Sequence, residues 1–458
     1  MNHRVTRRYF LSAAATALTT RAADSALPVP SSRQLAWHEL ESYAFLHFTI
    51  NTFTDKEWGY GDEDPNLFHP TAFDAGAIVR ALKQGGMRAV ILTCKHHDGF
   101  CLWPTATTKH SVRSSAWNGG KADVVRAISE AAARDGLRFG VYLSPWDRNA
   151  ASYGTPEYVA MYRAQLRELL TQYGPIFEVW HDGANGGDGY YGGARQKRLI
   201  DKRSYYDWPT TWALVRELQP GAVIFSDVGP DIRWVGNEKG FANDPCWATY
   251  DPVAPDGGAA APGYVREKEG GTGHRNGSHW MPAECDVSIR PGWFWHEKEN
   301  SSVKQPRQLL ELYYKSVGRG ASFLLNVPPD RRGLLYDADV ESLAKFNDLR
   351  SSIFDHDLAA GARQSRADDS TIVVELPSPA NFNVVRLRED IRLGQRVDAF
   401  AIDIFNKEDW EPWSEGSSIG ACRIVTGKDV HSQRIRVRVT KYAARPAISS
   451  ITLHRDNG

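Results

Sequence analysis

The run Ile176-Phe177-Glu178-Val179-Trp180-His181-Asp182-Gly183 decides the fold. A short, largely apolar stretch leads straight into a histidine, a carboxylate and a glycine. Such a continuous run suits a parallel strand buried on both faces better than a half-solvated strand, whose apolar residues would alternate. Gly183 permits an immediate turn, so Asp182 stands at the strand's carboxyl end. The same grammar recurs on both sides. Strand-like runs occupy 43–50, 88–93, 137–143, 222–226 and 322–327. Amphipathic stretches at 74–84, 122–134 and 156–173 lie between them, stopped by Gly85-Gly86, Gly136 and Gly174-Pro175. Alternating strands and helices over this length mean a parallel α/β sheet, and the length favours a (β/α)8-like barrel over 35–352. No Gly-rich dinucleotide fingerprint follows the first strand, which argues against a Rossmann fold.

Beyond Ile353 the helical pattern stops. Short strand-like runs at 373–376, 384–387, 399–404, 422–426, 434–439 and 448–453 are separated by turn residues. They predict a C-terminal β-sandwich over 360–458. Two Gly-rich stretches, 183–207 and 256–277, are long for loops of a compact domain, and loops of that kind are often functional.

The chain has 458 residues, 42% of them hydrophobic and 24% charged, as in ordinary globular proteins. Lys+Arg and Asp+Glu both number 55, so neither a nucleic-acid binder nor a polybasic membrane protein is indicated. Aromatic residues are plentiful, with 15 Trp, 18 Tyr and 18 Phe, and aromatic planes with a polar edge suit flat ligands such as sugars. Residues 1–27 read as a targeting segment. Thr6-Arg7-Arg8-Tyr9-Phe10-Leu11 resembles a bacterial twin-arginine export signal, with Ser12 where Lys is common. The expected location is therefore periplasmic or secreted, and no stretch is long and apolar enough to span a membrane. Five cysteines are too few and scattered for a disulfide framework. Cys94 and Cys101 are close enough in sequence to bridge, but buried thiols are the expected state.

In a barrel the chemistry collects at the carboxyl ends of the strands. Those ends carry His47, then His96-His97-Asp98, then Tyr142 with Trp146-Asp147, then His181-Asp182. A lone Asp after a strand usually caps a helix. Four successive polar ends are harder to explain as packing. Asp182 can attack an anomeric carbon or hold a metal. Glycoside chemistry needs a second carboxyl, and two candidates follow: Glu238, in Gly236-Asn237-Glu238-Lys239-Gly240, and Glu284, in Trp280-Met281-Pro282-Ala283-Glu284-Cys285-Asp286. Spacing does not choose between them.

Several stretches together resemble the α-L-fucosidases of glycoside hydrolase family 29. They are His47-Phe48 with Asn51-Thr52-Phe53, Glu57-Trp58-Gly59, Lys95-His96-His97-Asp98-Gly99-Phe100, Gly140-Val141-Tyr142-Leu143-Ser144 and the Asp182 run. Leu324-Leu325-Asn326-Val327-Pro328-Pro329, Gly394-Gln395-Arg396-Val397 and Ser418-Ile419-Gly420 extend the likeness. Gly236-Asn237-Glu238 and Ile289-Arg290-Pro291-Gly292-Trp293 resemble the subgroup that favours α-1,3/1,4-linked, branched fucosides. The resemblance implies a retaining double displacement on a fucosylated oligosaccharide, without metal or cofactor. It places Asp182 as nucleophile and Glu238 as acid/base. It also implies that His47, Glu57, Trp58, His96, His97 and Tyr142 line the fucose pocket, with Trp293 as an aromatic wall. Retention requires carboxyls ~5–5.5 Å apart. One departure is His181, where the family usually has Phe; strand alternation predicts that it points away from the sugar.

Three other readings are weighed beside this one. A fucosidase of broad specificity would act on α-1,2/1,6 or aryl fucosides. A metal-dependent barrel hydrolase would use the histidines and Asp182, but adjacent strand residues such as His96 and His97 are expected on opposite faces. A non-catalytic sugar-binding protein would have no need of paired carboxylates.

Overall fold

The computed structural model describes residues 27–458, so the export-type segment lies outside the described residues except for Leu27. Eight parallel strands close into a barrel: β1 (Ser42–Leu46), β2 (Ala89–Lys95), β3 (Arg138–Leu143), β4 (Ile176–Trp180), β5 (Val223–Ser226), β6 (Ile232–Trp234), β7 (Ala283–Ser288) and β8 (Ser322–Asn326). Each strand pairs with its sequence neighbours, and β8 closes onto β1. The outer layer contains α1 (Ala75–Gln84), α2 (Val124–Asp135), α3 (Pro156–Gln172), α4 (Trp208–Leu218), α5 (Pro306–Lys315) and α6 (Asp337–Phe354). Local chemistry fixes their ends. Asp74 and Asp123 cap α1 and α2 by accepting backbone N–H groups of Ala77 and Arg126, and Gly136 ends α2 in the left-handed region.

Two strands, β6 and β7, were not among the strand-like runs read from the sequence. Both carry buried charge: β6 outward, against the segment that follows it, and β7 inward. Arg233 is buried in β6 and donates to the carbonyls of Gly270, Trp247 and Met281. Glu284 and Asp286 are buried in β7. Among the described residues, no α-helix follows β5 or β6. Residues 227–231 join β5 to β6 directly, and the long segment 235–282 joins β6 to β7.

The C-terminal domain contains β9 (Arg363–Arg366), β10 (Thr371–Glu389), β11 (Val397–Phe405), β12 (Trp410–Gly416), β13 (Arg423–Tyr442) and β14 (Ile448–His454), all antiparallel. The runs 373–376 and 384–387 are two ends of the single strand β10, and 422–426 and 434–439 are two ends of β13. Irregular pairing between Glu375 and Val384 bends the pair. One half then lies with β9, β11 and β12, and the other with β14. Both halves bury one apolar core, including Val374, Leu387, Ile402, Val437 and Leu453.

This domain grips the barrel from outside. Arg386 and Arg388 both reach Glu41, just before β1. Arg423 makes a paired contact with Asp244 at 2.9 and 2.6 Å, and Gln395 exchanges hydrogen bonds with Ala248 N–H and the Cys246 carbonyl. Asp244, Cys246 and Ala248 belong to the segment after β6, so the domain braces the loop that begins with Glu238. All five cysteines are free and buried. No helix among the described residues is long and apolar enough to cross a membrane.

Candidate active site

Strand alternation builds the floor of the site. Tyr142, Trp180 and Phe225 are in register across β3, β4 and β5 and point into the barrel. They stack, with Tyr142 and Trp180 5.3 Å apart and Trp180 and Phe225 4.1 Å apart. Asp182 lies two residues beyond Trp180 and so emerges on the same inner side. His181, between them, points outward as alternation predicts. It is fully buried, 2.8 Å from the Tyr162 hydroxyl through Nδ1 and packed on Trp208.

Asp182 Oδ2 accepts the Tyr142 hydroxyl at 2.9 Å, and Oδ1 accepts the Ala184 N–H at 2.7 Å. No helix begins here, so the carboxylate is not a helix cap. Burial raises its pKa above the ordinary aspartate value, while these two donors pull it back. A cleft of roughly 500 Å3, open mouth included, brings Asp182 together with Glu238, His47, His96, His97, Trp58 and Trp293. Glu238 stands in the turn after β6, with Oε2 3.2 Å from the Trp293 indole N–H. Burial also raises its pKa, and the charges of Asp182 and Glu57 add to the rise against the Trp293 hydrogen bond.

The three histidines are held neutral. Burial lowers His47 and His97 to about 3 and takes His96 well below the usual range. His47 Nδ1 is 2.9 Å from Asn326 Oδ1, which fixes its proton on that nitrogen, and His97 Nδ1 is 2.7 Å from the Ser144 hydroxyl. Neutral imidazoles offer one donor and one acceptor each, which suits sugar hydroxyls. The expectation that His96 and His97 face apart is corrected. Both rings line the cleft, their centroids 4.1 Å apart. The pair lies past the end of β2, where a register irregularity between Thr93 and Lys95 has broken the alternation.

Glu57 and Tyr142 stand just behind the cleft's lining side chains. The Glu57 carboxylate accepts the Trp293 and Phe294 N–H groups and contacts His296, so it shapes the turn that presents Trp293. Tyr142 reaches the cleft through its hydroxyl on Asp182 rather than as a wall. Trp58 is 52% exposed at the mouth and packs edge-on against His97. Trp293 packs against His47 at 5.0 Å.

Glu238 and Glu284 stand in different places, and only Glu238 lines the cleft. Glu284 lies beneath the floor, fully buried, where it accepts the Trp180 indole N–H at 2.7 Å and the Tyr43 hydroxyl beside Glu178. It lines neither the cleft nor its extension, and its evident task is to fix Trp180.

Three residues escaped the sequence reading. Asn326 is hydrogen-bonded to His47 and to the Trp293 carbonyl, at 2.7 Å in the latter case. Its signal was its place at the end of β8. Asp286 is a third carboxyl in the cleft, accepting the Trp234 indole N–H at 2.8 Å; burial and nearby Glu238 hold it well above the carboxylate range. Asp227 lies beyond Asp182, pushed up to about 7 by burial and the Asp182 charge.

Comparison with known proteins agrees with this geometry. A family model described as alpha-L-fucosidase matches residues 26–349. The chain is 41% identical to alpha-L-fucosidase 1 of Arabidopsis thaliana, over 94% of this chain and 88% of that protein. It superposes on a glycoside hydrolase 29 family member from an unknown rumen bacterium with a TM-score of 0.90 and 42% identity, covering 94% of this chain and 78% of that one. A Ruminococcus gnavus family 29 fucosidase, solved in complex with fucose, matches with a TM-score of 0.81 and 28% identity over 95% and 97% of the two chains. The barrel, its bracing sheet domain and the family match over most of the chain lead to one assignment: this protein belongs to the α-L-fucosidases of glycoside hydrolase family 29.

Proposed function

We propose that the protein is a retaining exo-α-L-fucosidase that removes terminal α-1,3/1,4-linked L-fucose from branched oligosaccharides or glycoconjugates. The observation that carries this reading is the pair Asp182 and Glu238 in one sugar-sized cleft, under neutral histidines and an indole wall.

The two carboxyls differ in the way the reaction needs. Asp182 has two donors that favour its charged form, whereas Glu238 has one and faces the Asp182 charge. This asymmetry in hydrogen bonding and charge supports Asp182 as the nucleophile and Glu238 as the proton donor. In the first step an Asp182 oxygen bonds to the anomeric carbon. The bond from that carbon to the leaving oxygen breaks, and the Glu238 proton moves to that oxygen. The result is a fucosyl ester and a free sugar hydroxyl. In the second step Glu238, now a carboxylate, takes a proton from water. The resulting hydroxide oxygen bonds to the anomeric carbon and displaces Asp182, restoring the starting configuration. His47, His96 and His97 hold the fucose hydroxyls, and Trp293 covers the methyl-bearing face.

The reading is tested by proton NMR of a hydrolysis followed from its first seconds. α-L-Fucose is expected first, with the β-anomer arising later by mutarotation. A screen in the same assay should favour Lewis-type branched trisaccharides over α-1,2- and α-1,6-linked fucosides. Initial β-fucose would remove the retaining mechanism, and equal use of all linkages would favour broad specificity.

A pH profile follows from the same assignment. Activity should rise as Asp182 ionises and fall as Glu238 loses its proton, giving a bell. Tyr142→Phe removes a hydrogen bond that favours ionised Asp182, so the acidic limb should move to higher pH while the basic limb stays nearly fixed. A Tyr142→Phe profile that loses height without moving its acidic limb would contradict the role given to that hydroxyl.

A further inference from the structure

The Gly-rich stretch 183–207 leaves β4 past Asp182 and folds into a short hairpin, Gly187–Gly189 paired antiparallel with Gln196–Arg198. The hairpin is packed down rather than left free. Gly187 presses on the Trp146 indole, where a Cβ would stand 2.9 Å from the ring. Trp146 donates its indole N–H to the Tyr191 hydroxyl at 2.9 Å, and that hydroxyl donates to the Gly187 carbonyl at 2.8 Å. Trp146 also meets Trp58 edge-on, with ring centroids 5.6 Å apart, and lies 5.4 Å from the His97 ring. A chain of contacts therefore runs from the hairpin to the wall of the cleft.

Arg148 ties the same hairpin to the backbone of Trp58. Its Nε donates to the Asp188 carbonyl at 2.7 Å, and its Nη1 donates to the Gly59 carbonyl and lies 3.5 Å from that of Trp58. The half-buried guanidinium stands 5.1 Å from the Tyr60 ring centre and 5.2 Å from that of Trp146. Other contacts follow this seam. The Tyr190 N–H donates to the Tyr60 carbonyl at 3.1 Å, Asn149 Nδ2 donates to the Gly61 carbonyl at 2.7 Å, and Arg195 pairs with Asp62 at 2.9 Å. The Arg195 pair is solvent-exposed on the arginine side and contributes little alone. Of these groups, only Arg148 touches the hairpin, Trp146 and the Trp58 backbone together. Trp58 needs such support. Its side chain is half-exposed, with His97 and Trp146 against it, and the rotamer an exposed ring keeps depends on its backbone.

We propose that Arg148 is a positioning residue for the fucose side of the cleft: with the 183–207 hairpin as its anchor, it holds the Trp58 backbone so that the indole stands ready as a wall beside His97. The inference rests on the fucosidase reading, in which Trp58 lines the fucose pocket, and goes beyond it in giving Arg148 and the hairpin a task in binding. A planar guanidinium can serve two carbonyls at once, which a lysine ammonium does less well. A wall fixed in advance spares the cost of ordering it when the sugar arrives. Trp58 meets the same sugar before and during bond cleavage, so the effect falls on binding more than on the chemical step.

The test is a double-mutant cycle on Arg148 and Trp58, read with an aryl α-L-fucoside as substrate and L-fucose as product inhibitor. Arg148→Met keeps the length of the side chain and removes its donors. It should raise KM and the fucose Ki about tenfold while kcat changes about threefold at most. Arg148→Lys should fall between Arg148→Met and the wild type. Trp58→Ala should raise Ki as well, and adding Arg148→Met to it should change Ki by about twofold at most, because no indole is left to place. Fluorine NMR of protein carrying 5-fluorotryptophan supplies a readout independent of turnover. The Trp58 signal, identified by its loss in Trp58→Phe, should broaden or shift in Arg148→Met, while tryptophan signals remote from Arg148 stay in place and report folding. An unchanged fucose Ki in Arg148→Met or in Trp58→Ala, a loss confined to kcat, or an Arg148→Met effect as large without Trp58 as with it would overturn the proposal. Absence of aryl-fucoside hydrolysis by the wild type would instead overturn the fucosidase reading beneath it.

Discussion

Asp182→Ala is expected to lower kcat by on the order of 10⁴-fold while the protein stays folded. The loss is this large because the residue acts in both steps. Its charge stabilises the oxocarbenium character that develops as the fucosidic bond breaks, and its oxygen then holds the sugar until water arrives. No neighbour can take over. Tyr142 is placed to donate to Asp182, His97 stands 3.9 Å from it, and burial pushes the Asp286 carboxyl well above its ordinary pKa, which disfavours the charged form a nucleophile needs. Folding should survive, because the carboxylate's partners are one hydroxyl at the rim and one loop N–H. Asp182→Asn should be equally inactive, since an amide keeps the shape but neither the charge nor the nucleophilicity. Steady-state kinetics together with circular dichroism check this result. Near-wild-type turnover in either variant would end the assignment.

Glu238→Ala should show a loss that depends on the leaving group. With a branched glycan, whose departing alkoxide needs a proton, kcat/KM should fall roughly 10²–10⁴-fold. With an activated aryl fucoside, whose phenolate departs unaided, kcat/KM should fall far less. An added small anion such as azide should raise the rate by intercepting the fucosyl ester without base assistance. The same series on Glu284→Ala should show no such dependence, because Glu284 is sealed under Trp180. Asp286→Ala is the sharper control, since its carboxyl does reach the cleft. If Asp286→Ala shows the leaving-group dependence and Glu238→Ala does not, the acid/base has been misplaced.

What the sequence made legible, and what it hid, follows the way charge is buried. Strands with unbroken apolar runs, such as 89–92 and 222–225, declare themselves. β6 and β7 do not, because Arg233, Glu284 and Asp286 interrupt the apolar pattern, and only the three-dimensional partners of those groups make the burial tolerable. β10 reads as two strands because Pro377-Ser378-Pro379, exposed at the bend, carries turn chemistry inside one strand. Asp182 was legible since the strand ahead of it is regular and alternation fixes its direction. His96 and His97 were misread for the opposite reason: alternation was carried past the end of β2. Glu57 carries a motif but spends its carboxylate on the Trp293 turn, and no spacing rule could reveal that. Asp227 was invisible because its place near Asp182 is fixed by a contact with Gly263, 36 residues away in the chain.

The account stands on a covalent fucosyl ester at one named oxygen pair. The direct measurement is peptide mass spectrometry of protein quenched while turning over 2-deoxy-2-fluoro-α-L-fucosyl fluoride, whose ester hydrolyses slowly. The mass of the fluorosugar should appear on Asp182, and only there. A label on Asp227, Asp286 or Glu238, or steady hydrolysis of true substrates to β-fucose with no label at all, would contradict it.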